Sequence, residues 1–271
     1  MKIYQNKIVL ITGAARGIGQ AIALEFATAG AIVVMADVQN EPQEAVAAQL
    51  RNEGHKAFAF HCDVANDDSV SALGSAVLEK LGCPDIIYNN AVLVRTGGVL
   101  NADLNAVRKE LDVNVLGYLR IVQQFLPQMV LRGSGWIINT ASPNAFVPPP
   151  IVAENLMGYC ISKAAEVSMS HCMSVSLKPK GINVSVVFPD ITYTDSVKEL
   201  HGSASNNFNT DFASFITNEG RPATEVAARI VKGLDPNKFF FSVYNGFEGM
   251  LKTWASQKMD PGFNYLASSA L

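Results

Sequence analysis

The sequence predicts an α/β domain in which a parallel sheet is covered by helices on both faces, and three observations predict it. Short runs rich in Val, Ile and Ala alternate with stretches of helical length through most of the chain, the rhythm of repeated strand–helix–strand units. The short runs are apolar at nearly every position, as strands buried on both faces are. Gly30, Gly54 and Gly82 fall just after helical stretches, where a residue free to turn left-handed ends a helix at least cost.

In order, the pattern gives a strand at 7–12, a helix near 18–28, a strand at 31–36, a helix near 42–52, a strand at 57–62, a helix at 67–80 and a strand at 85–88. A longer helical stretch, 104–131, is either two helices or one with a bend, because Asn114 and Gly117 interrupt its apolar stripe. Gly133-Ser134-Gly135 leads into a strand at 136–139, and Pro143, Pro148, Pro149 and Pro150 then exclude a regular helix. A helix from 156 or 158 to 177 and a strand at 181–188 follow. Beyond Pro189 the chain is polar, with a short helix at 194–200 and otherwise a mobile composition, until a helix opens at 223–231. Phe239-Phe240-Phe241 completes the last strand, and Tyr244, Phe247, Met250 and Trp254 pack the helix after it.

A chain of 271 residues builds one substantial core and is short for two, so 1–271 is read as a single domain. Segments 143–157 and 190–221 are its candidate substrate lid and 242–271 a C-terminal packing extension, whose Phe263 and Tyr265 cover either a pocket or a neighbouring subunit. With 49% hydrophobic and 17% charged residues, the composition is that of a globule and not of a disordered chain. A net charge of −3 without a dense Lys/Arg block argues against nucleic acid or an anionic membrane as partner. The N-terminus runs straight into an apolar strand and no later run has membrane-spanning length, which places the protein in the cytoplasm. Cys62, Cys83, Cys160 and Cys172 lack the spacing of a metal site and are read as buried free thiols; the histidines likewise suggest no metal.

The first strand ends in Thr12-Gly13-Ala14-Ala15-Arg16-Gly17-Ile18-Gly19. Gly13 makes the tight departure, Gly17 lets a dinucleotide approach the backbone, and Gly19 allows close packing of a helix whose N-terminus, at Ile18, faces a pyrophosphate. The context is that of a Rossmann-like, doubly wound sheet. Asp37, ending the second strand, is placed to accept both adenosine ribose hydroxyls, so NAD is favoured over NADP. Arg16 is the counter-signal, either contacting a ribose phosphate or pairing on the surface. Asp63 and Val64, after the third strand, suit the adenine amino group and ring, although Asp63 also suits a helix cap.

Tyr159 and Lys163 lie one helical turn apart and face one cleft. A cationic lysine there favours phenolate over phenol and makes tyrosine a usable acid and base. Taken together, Thr12-Gly13-x-x-x-Gly17-x-Gly19, Asp63-Val64, Asn89-Asn90-Ala91, Asn114, Ser142, Tyr159-x-x-x-Lys163 and the run from Pro189 to Thr194 resemble the classical short-chain dehydrogenase/reductase family in type and order.

The resemblance implies that Tyr159 is the acid/base, that Lys163 binds the nicotinamide ribose and lowers the tyrosine pKa, that Ser142 hydrogen-bonds the reacting oxygen, and that Asn114 holds a relay water. It implies cofactor contacts at Asn90, Pro189, Ile191 and Thr194, and a homodimer or homotetramer. Three departures stand out: Val92 and Asp190 where glycine is usual, and a long segment between Ser142 and Tyr159. The reading that follows is an NAD(H)-dependent alcohol dehydrogenase for apolar cyclic or aromatic secondary alcohols. The alternatives are an NADPH-dependent carbonyl reductase and, motivated by Asp190, a weakly catalytic nucleotide-responsive regulator.

Overall fold

The computed structural model describes residues 2–260; the C-terminal aromatics Phe263 and Tyr265 lie outside them. The first half follows the expected alternation: β1 (Ile8–Thr12), α1 (Gly17–Thr28), β2 (Ile32–Asp37), α2 (Asn40–Asn52), β3 (Lys56–His61), α3 (Asp67–Lys80) and β4 (Ile86–Asn89). Next come α4 (Leu104–Leu111), α5 (Gly117–Arg132), β5 (Gly135–Thr140), α6 (Pro150–Asn155), α7 (Met157–Leu177) and β6 (Ile182–Phe188). The remainder comprises β7 (Thr192–Tyr193), α8 (Asn206–Glu219), β8 (Arg221–Pro222), α9 (Ala223–Gly233), β9 (Phe240–Ser242) and α10 (Phe247–Ser256).

Seven strands form one sheet in the order β3-β2-β1-β4-β5-β6-β9, with every pairing parallel. Side chains alternate across it, so Val9 and Ile11 enter the core beneath α1 and α9, while Leu10 enters the core beneath α3, α5 and α7. The order reverses between β1 and β4, the switch point at which such sheets open a crevice beyond their carboxyl ends.

Three local outcomes bear on the site. The interrupted stretch before β5 is two helices joined by one turn of π-helix, Asp112–Leu116, which carries the fully buried Asn114. The prolines do not exclude a helix after Ser142: Pro150 opens α6 at its first position, where a missing N–H leaves no helical bond unmade. The segment beyond Pro189 is also more regular than its composition suggests. It contains α8, capped by Ser205 Oγ accepting from the Phe208 N–H at 3.2 Å, and a short 3-10 helix, Asp195–Glu199. The cysteines are free thiols, but only Cys62 is buried; Cys83 and Cys160 are half-buried and Cys172 is exposed.

Candidate active site

The glycine loop between β1 and α1 is built by backbone crowding. Gly13 has φ +65°, and a Cβ there would stand 2.8 Å from Ala91 Cα; at Gly19 it would stand 2.0 Å from the Gly13 carbonyl oxygen. Any side chain at Gly19 therefore forces the loop open. Helix α1 starts at Gly17 with no side-chain cap and no acidic residue in its first turn, so its first N–H groups point into the crevice without a protein anion to receive them. Ile18, in that turn, packs partly into the core.

Asp37 stands at the end of β2, 7% exposed, with Oδ2 accepting from the Ala15 N–H at 3.0 Å and Oδ1 from the Gln39 N–H at 2.9 Å. Each oxygen keeps a second lone pair. Arg16 is turned away toward the far segment, where Nη1 meets Glu199 Oε1 at 2.7 Å. Asp63 does not cap α3: Asn66 does, accepting from the Ser69 N–H at 2.8 Å, while Asp63 Oδ1 accepts from the Ala65 N–H at 2.9 Å. Val64, the residue expected at the adenine ring, follows it. It is buried in the core, against Gly117, where an added Cβ would come within 2.8 Å of Val64 Cγ2.

Asn90 acts on the loop itself. Its Nδ2 donates to the Thr12 and Gly13 carbonyls at 3.2 and 3.3 Å, and its N–H to Thr12 Oγ1 at 3.0 Å. The side chain expected to touch cofactor thus braces β1 against β4.

Pro189 follows β6, and Asp190 after it takes no place in the crevice. Asp190 Oδ2 accepts from Arg221 at 2.8 Å and from Arg229 at 3.2 Å, and Oδ1 from the Ile191 N–H at 2.9 Å. The Ile191 carbonyl accepts from the Arg221 N–H at 2.8 Å and keeps a second lone pair for the backbone contact expected of it. Thr194 does reach the loop: its methyl lies 3.1 Å from the position a Gly17 Cβ would occupy.

On the other side of the crevice, α7 presents Tyr159 and Lys163, whose ammonium lies 5.6 Å from the Tyr159 ring centre. Ser142 is buried at the end of β5, its Oγ accepting from the Asn144 N–H at 3.2 Å. Asn114 joins the two flanks: both amide hydrogens are committed, to the Leu93 carbonyl and to Ser162 Oγ at 2.9 Å each, and Oδ1 accepts from the Leu93 N–H at 2.7 Å. Ser162 in turn donates to the Tyr159 carbonyl at 2.8 Å.

Lys163 does not lower the Tyr159 pKa as expected. Burial pushes the phenol well above its ordinary value, the neighbouring Ser142 hydroxyl pulls it part of the way back, and the Glu166 carboxylate raises it again. The reason is that Lys163 is already paired, with Nζ 3.0 Å from both Glu166 carboxylate oxygens and 2.8 Å from the Thr140 carbonyl.

Two acids here escaped the sequence reading. Glu166 is fully buried, and Glu110 nearly so, accepting from the Arg95 N–H at 2.9 Å. Glu110 also requires the glycine before Tyr159, since a Cβ at Gly158 would meet its Oε2 at 2.0 Å. Tyr159 packs against an apolar cluster that includes Val94, Val152, Leu156, Ala204 and Phe208.

Residues 7–204 match the family model described as short chain dehydrogenase. The chain is 34% identical over 201 residues to a 7alpha-hydroxysteroid dehydrogenase of Escherichia coli, covering 72% of this chain and 74% of that one. It is 35% identical over 190 residues to a D-threitol dehydrogenase of Mycolicibacterium smegmatis, covering 70% and 72%. It is 32% identical over 210 residues to a meso-2,3-butanediol dehydrogenase of Serratia marcescens, covering 78% and 81%. Among solved structures, a short chain dehydrogenase/reductase from Burkholderia phymatum in complex with NAD superposes with a TM-score of 0.85 at 24% identity, covering 97% of this chain and 99% of that one. The chain belongs to the short-chain dehydrogenase/reductase family and is an oxidoreductase acting on CH–OH donors.

Proposed function

We propose that the protein interconverts a secondary alcohol and a ketone with NAD(H) as cofactor, taking apolar cyclic or aromatic substrates. The observation that carries this reading is the placing of Tyr159 and Lys163 on one face of α7, with Ser142 beside the phenol. The crevice fits a dinucleotide: the uncapped start of α1 suits a pyrophosphate, and the second lone pairs of Asp37 suit ribose hydroxyls. A 2′-phosphate would meet the Asp37 charge, with Arg16 drawn away to Glu199, which favours NAD over NADP.

When bound, the nicotinamide ring gives or takes the hydride. The chain's own groups then manage the proton. Tyr159 donates to a carbonyl oxygen in reduction and accepts from the alcohol in oxidation, Ser142 orients that oxygen, and Lys163 holds the nicotinamide ribose. Asn114, with both amide hydrogens committed, would hold a relay water. The apolar cluster at Tyr159 favours a ring alcohol, as the name of the hydroxysteroid relative suggests, over a small polyol. Segments 143–157 and 190–221 are the walls that would close over it. Asp190 no longer motivates a weakly catalytic reading, because its ion pairs account for it. We take the working form to be a cytoplasmic homodimer or homotetramer, to be checked by light scattering.

Calorimetric titration tests the cofactor. NADH should bind at least about tenfold tighter than NADPH, about 1.4 kcal/mol, and equal affinity or a preference for NADPH would reject the role of Asp37. A panel of cyclic, aromatic and linear alcohols and ketones then tests the substrate class, and a preference for polyols would reject it.

A further inference from the structure

Lys163 is the group on which the proposed chemistry depends, yet its hydrogens are already spoken for. An ammonium has three N–H donors, and Nζ faces the Thr140 carbonyl at 2.8 Å and the Glu166 Oε1 and Oε2 atoms at 3.0 Å each. The side chains are 3% and 0% exposed, so water does not substitute for either partner. This turn of α7 is also anchored from behind. The Glu166 carbonyl accepts from Ser170 Oγ at 2.6 Å, Ser170 Oγ accepts from Asn139 at 2.8 Å, and Asn139 accepts from Asn89 at 2.9 Å. The chain of bonds ties the helix to β4 and β5, so the carboxylate cannot drift from the lysine without repacking.

We propose that Glu166 is a positioning residue that governs Lys163: as a carboxylate it holds Nζ against Thr140 and neutralises its charge at Tyr159, and on taking up a proton it releases N–H donors to the nicotinamide ribose. The inference rests on the dinucleotide reading above. In the protonated state one Glu166 oxygen becomes a hydroxyl, a donor instead of an acceptor, and at least one lysine hydrogen loses its partner. The proton comes from solvent and no bond to carbon changes.

Burial pushes the Glu166 carboxyl up to about 7 against the opposing pull of Lys163, so the two states exchange near neutrality. Few ionisable groups bear on it. Lys163 and Tyr159 share its helix, Tyr118 comes from α5 with Tyr88 of β4 behind it, and Glu110 of α4 and Cys160 act on the far side of Tyr159. Strands β5 and β6 and the turn at Pro143–Ala145 carry no ionisable residue. The Tyr118 hydroxyl is buried without a partner, 6.0 Å being the distance from its ring centre to Lys163 Nζ, so no competing acceptor relieves the lysine from that side.

The experiment is titration of NADH into the full chain by calorimetry, near pH 8 in buffers of different ionisation enthalpy and again across pH, for the wild type, E166Q and E110Q. The wild type should take up roughly half to one proton per NADH bound near pH 8 and bind about tenfold more weakly at pH ~8.5 than at pH ~6. E166Q should take up none and bind with little pH dependence, while E110Q follows the wild type. A wild type that binds NADH without proton uptake overturns the proposal, whether or not E166Q folds. Uptake that persists in folded E166Q, or that disappears in E110Q instead, also overturns it. A wild type that binds no NADH at any pH rejects the dinucleotide reading itself, and the inference with it.

Discussion

The strands that floor the crevice and the segment between Asp190 and Pro222 that overhangs it are held by different forces. In β1, Val9, Leu10 and Ile11 are completely buried and paired in register to β2 and β4. The overhanging segment has a sheet of two residues per strand, meets the apolar cluster at Tyr159 through Ala204 and Phe208, and carries ion pairs besides: Arg16 with Glu199, Lys198 with Asp195, and Arg221 with Asp190. Burial of apolar area is insensitive to salt and stabilises by about 25 cal/mol per Å², whereas exposed pairs contribute little and are screened. The floor therefore sets where Asp37 and Ser142 stand, and the overhang is the more readily loosened of the two.

The largest effect expected from breaking this division is chemical. Replacing Tyr159 with Phe keeps the ring in its apolar cluster and removes the proton carrier, so turnover in both directions should fall by roughly 10² to 10⁴ while folding and NADH affinity persist. Steady-state rates on any accepted alcohol and ketone, beside circular dichroism, check it, and near-native turnover would dismiss Tyr159 as acid/base. Asn139→Ala strikes the floor instead. It strands the buried Asn89 amide and Ser170 hydroxyl, and a loss of about 2–4 kcal/mol in urea unfolding is expected.

A smaller effect follows from the buried acids. Burial raises both Glu110 and Glu166 from 4.5 to about 7, so the folded state binds these protons more tightly than the unfolded chain. Their contribution to stability is complete below about pH 4.5 and is lost as pH rises through about 7. The stability of the wild type minus that of the E110Q/E166Q double variant should fall as pH rises across that window, and a value that rises with pH would contradict the assignment. The overhang should respond least in global stability but most in local opening. Asp190→Asn weakens two ion pairs at once, and amide exchange across 190–222 should quicken several-fold with that of β1 unchanged. Raising salt from about 0.05 to 0.5 M should do the same more weakly, by shortening the screening length.

The same division decides what the sequence discloses. Strands of the floor are continuous apolar runs with glycine stops, so their order was legible, as was the bend at Asn114 and the turn that unites Tyr159 with Lys163. The overhang resisted because its helix α8 begins Asn206-Asn207-Phe208-Asn209, residues of modest helix propensity. The signal there was Phe208, Phe212 and Phe215 at helical spacing behind a capping Ser205, and it becomes persuasive only once an apolar wall exists for the first two rings to meet. Pro150 reads as a breaker unless the helix is seen to start on it. Glu166 was the least legible: an acid on an amphipathic helix reads as solvent-facing, and only tertiary packing turns it inward onto Lys163.

Asp190 constrains the order in which its neighbourhood can be altered. Its carboxylate is only 12% exposed and answers to two guanidinium groups. Arg229 has other occupation, donating to the Val243 carbonyl at 2.5 Å and to Asn245 at 3.3 Å, so it remains anchored if the acid is removed. The acid has no such independence, because without its arginines it is a nearly enclosed charge left uncompensated. Stepwise replacement is therefore best begun at Asp190, because removing Arg229 first leaves a nearly enclosed carboxylate with one guanidinium in place of two. For any attempt to graft this overhang onto a related frame, the three residues are therefore one transferable unit, with Arg229 to be installed before Asp190.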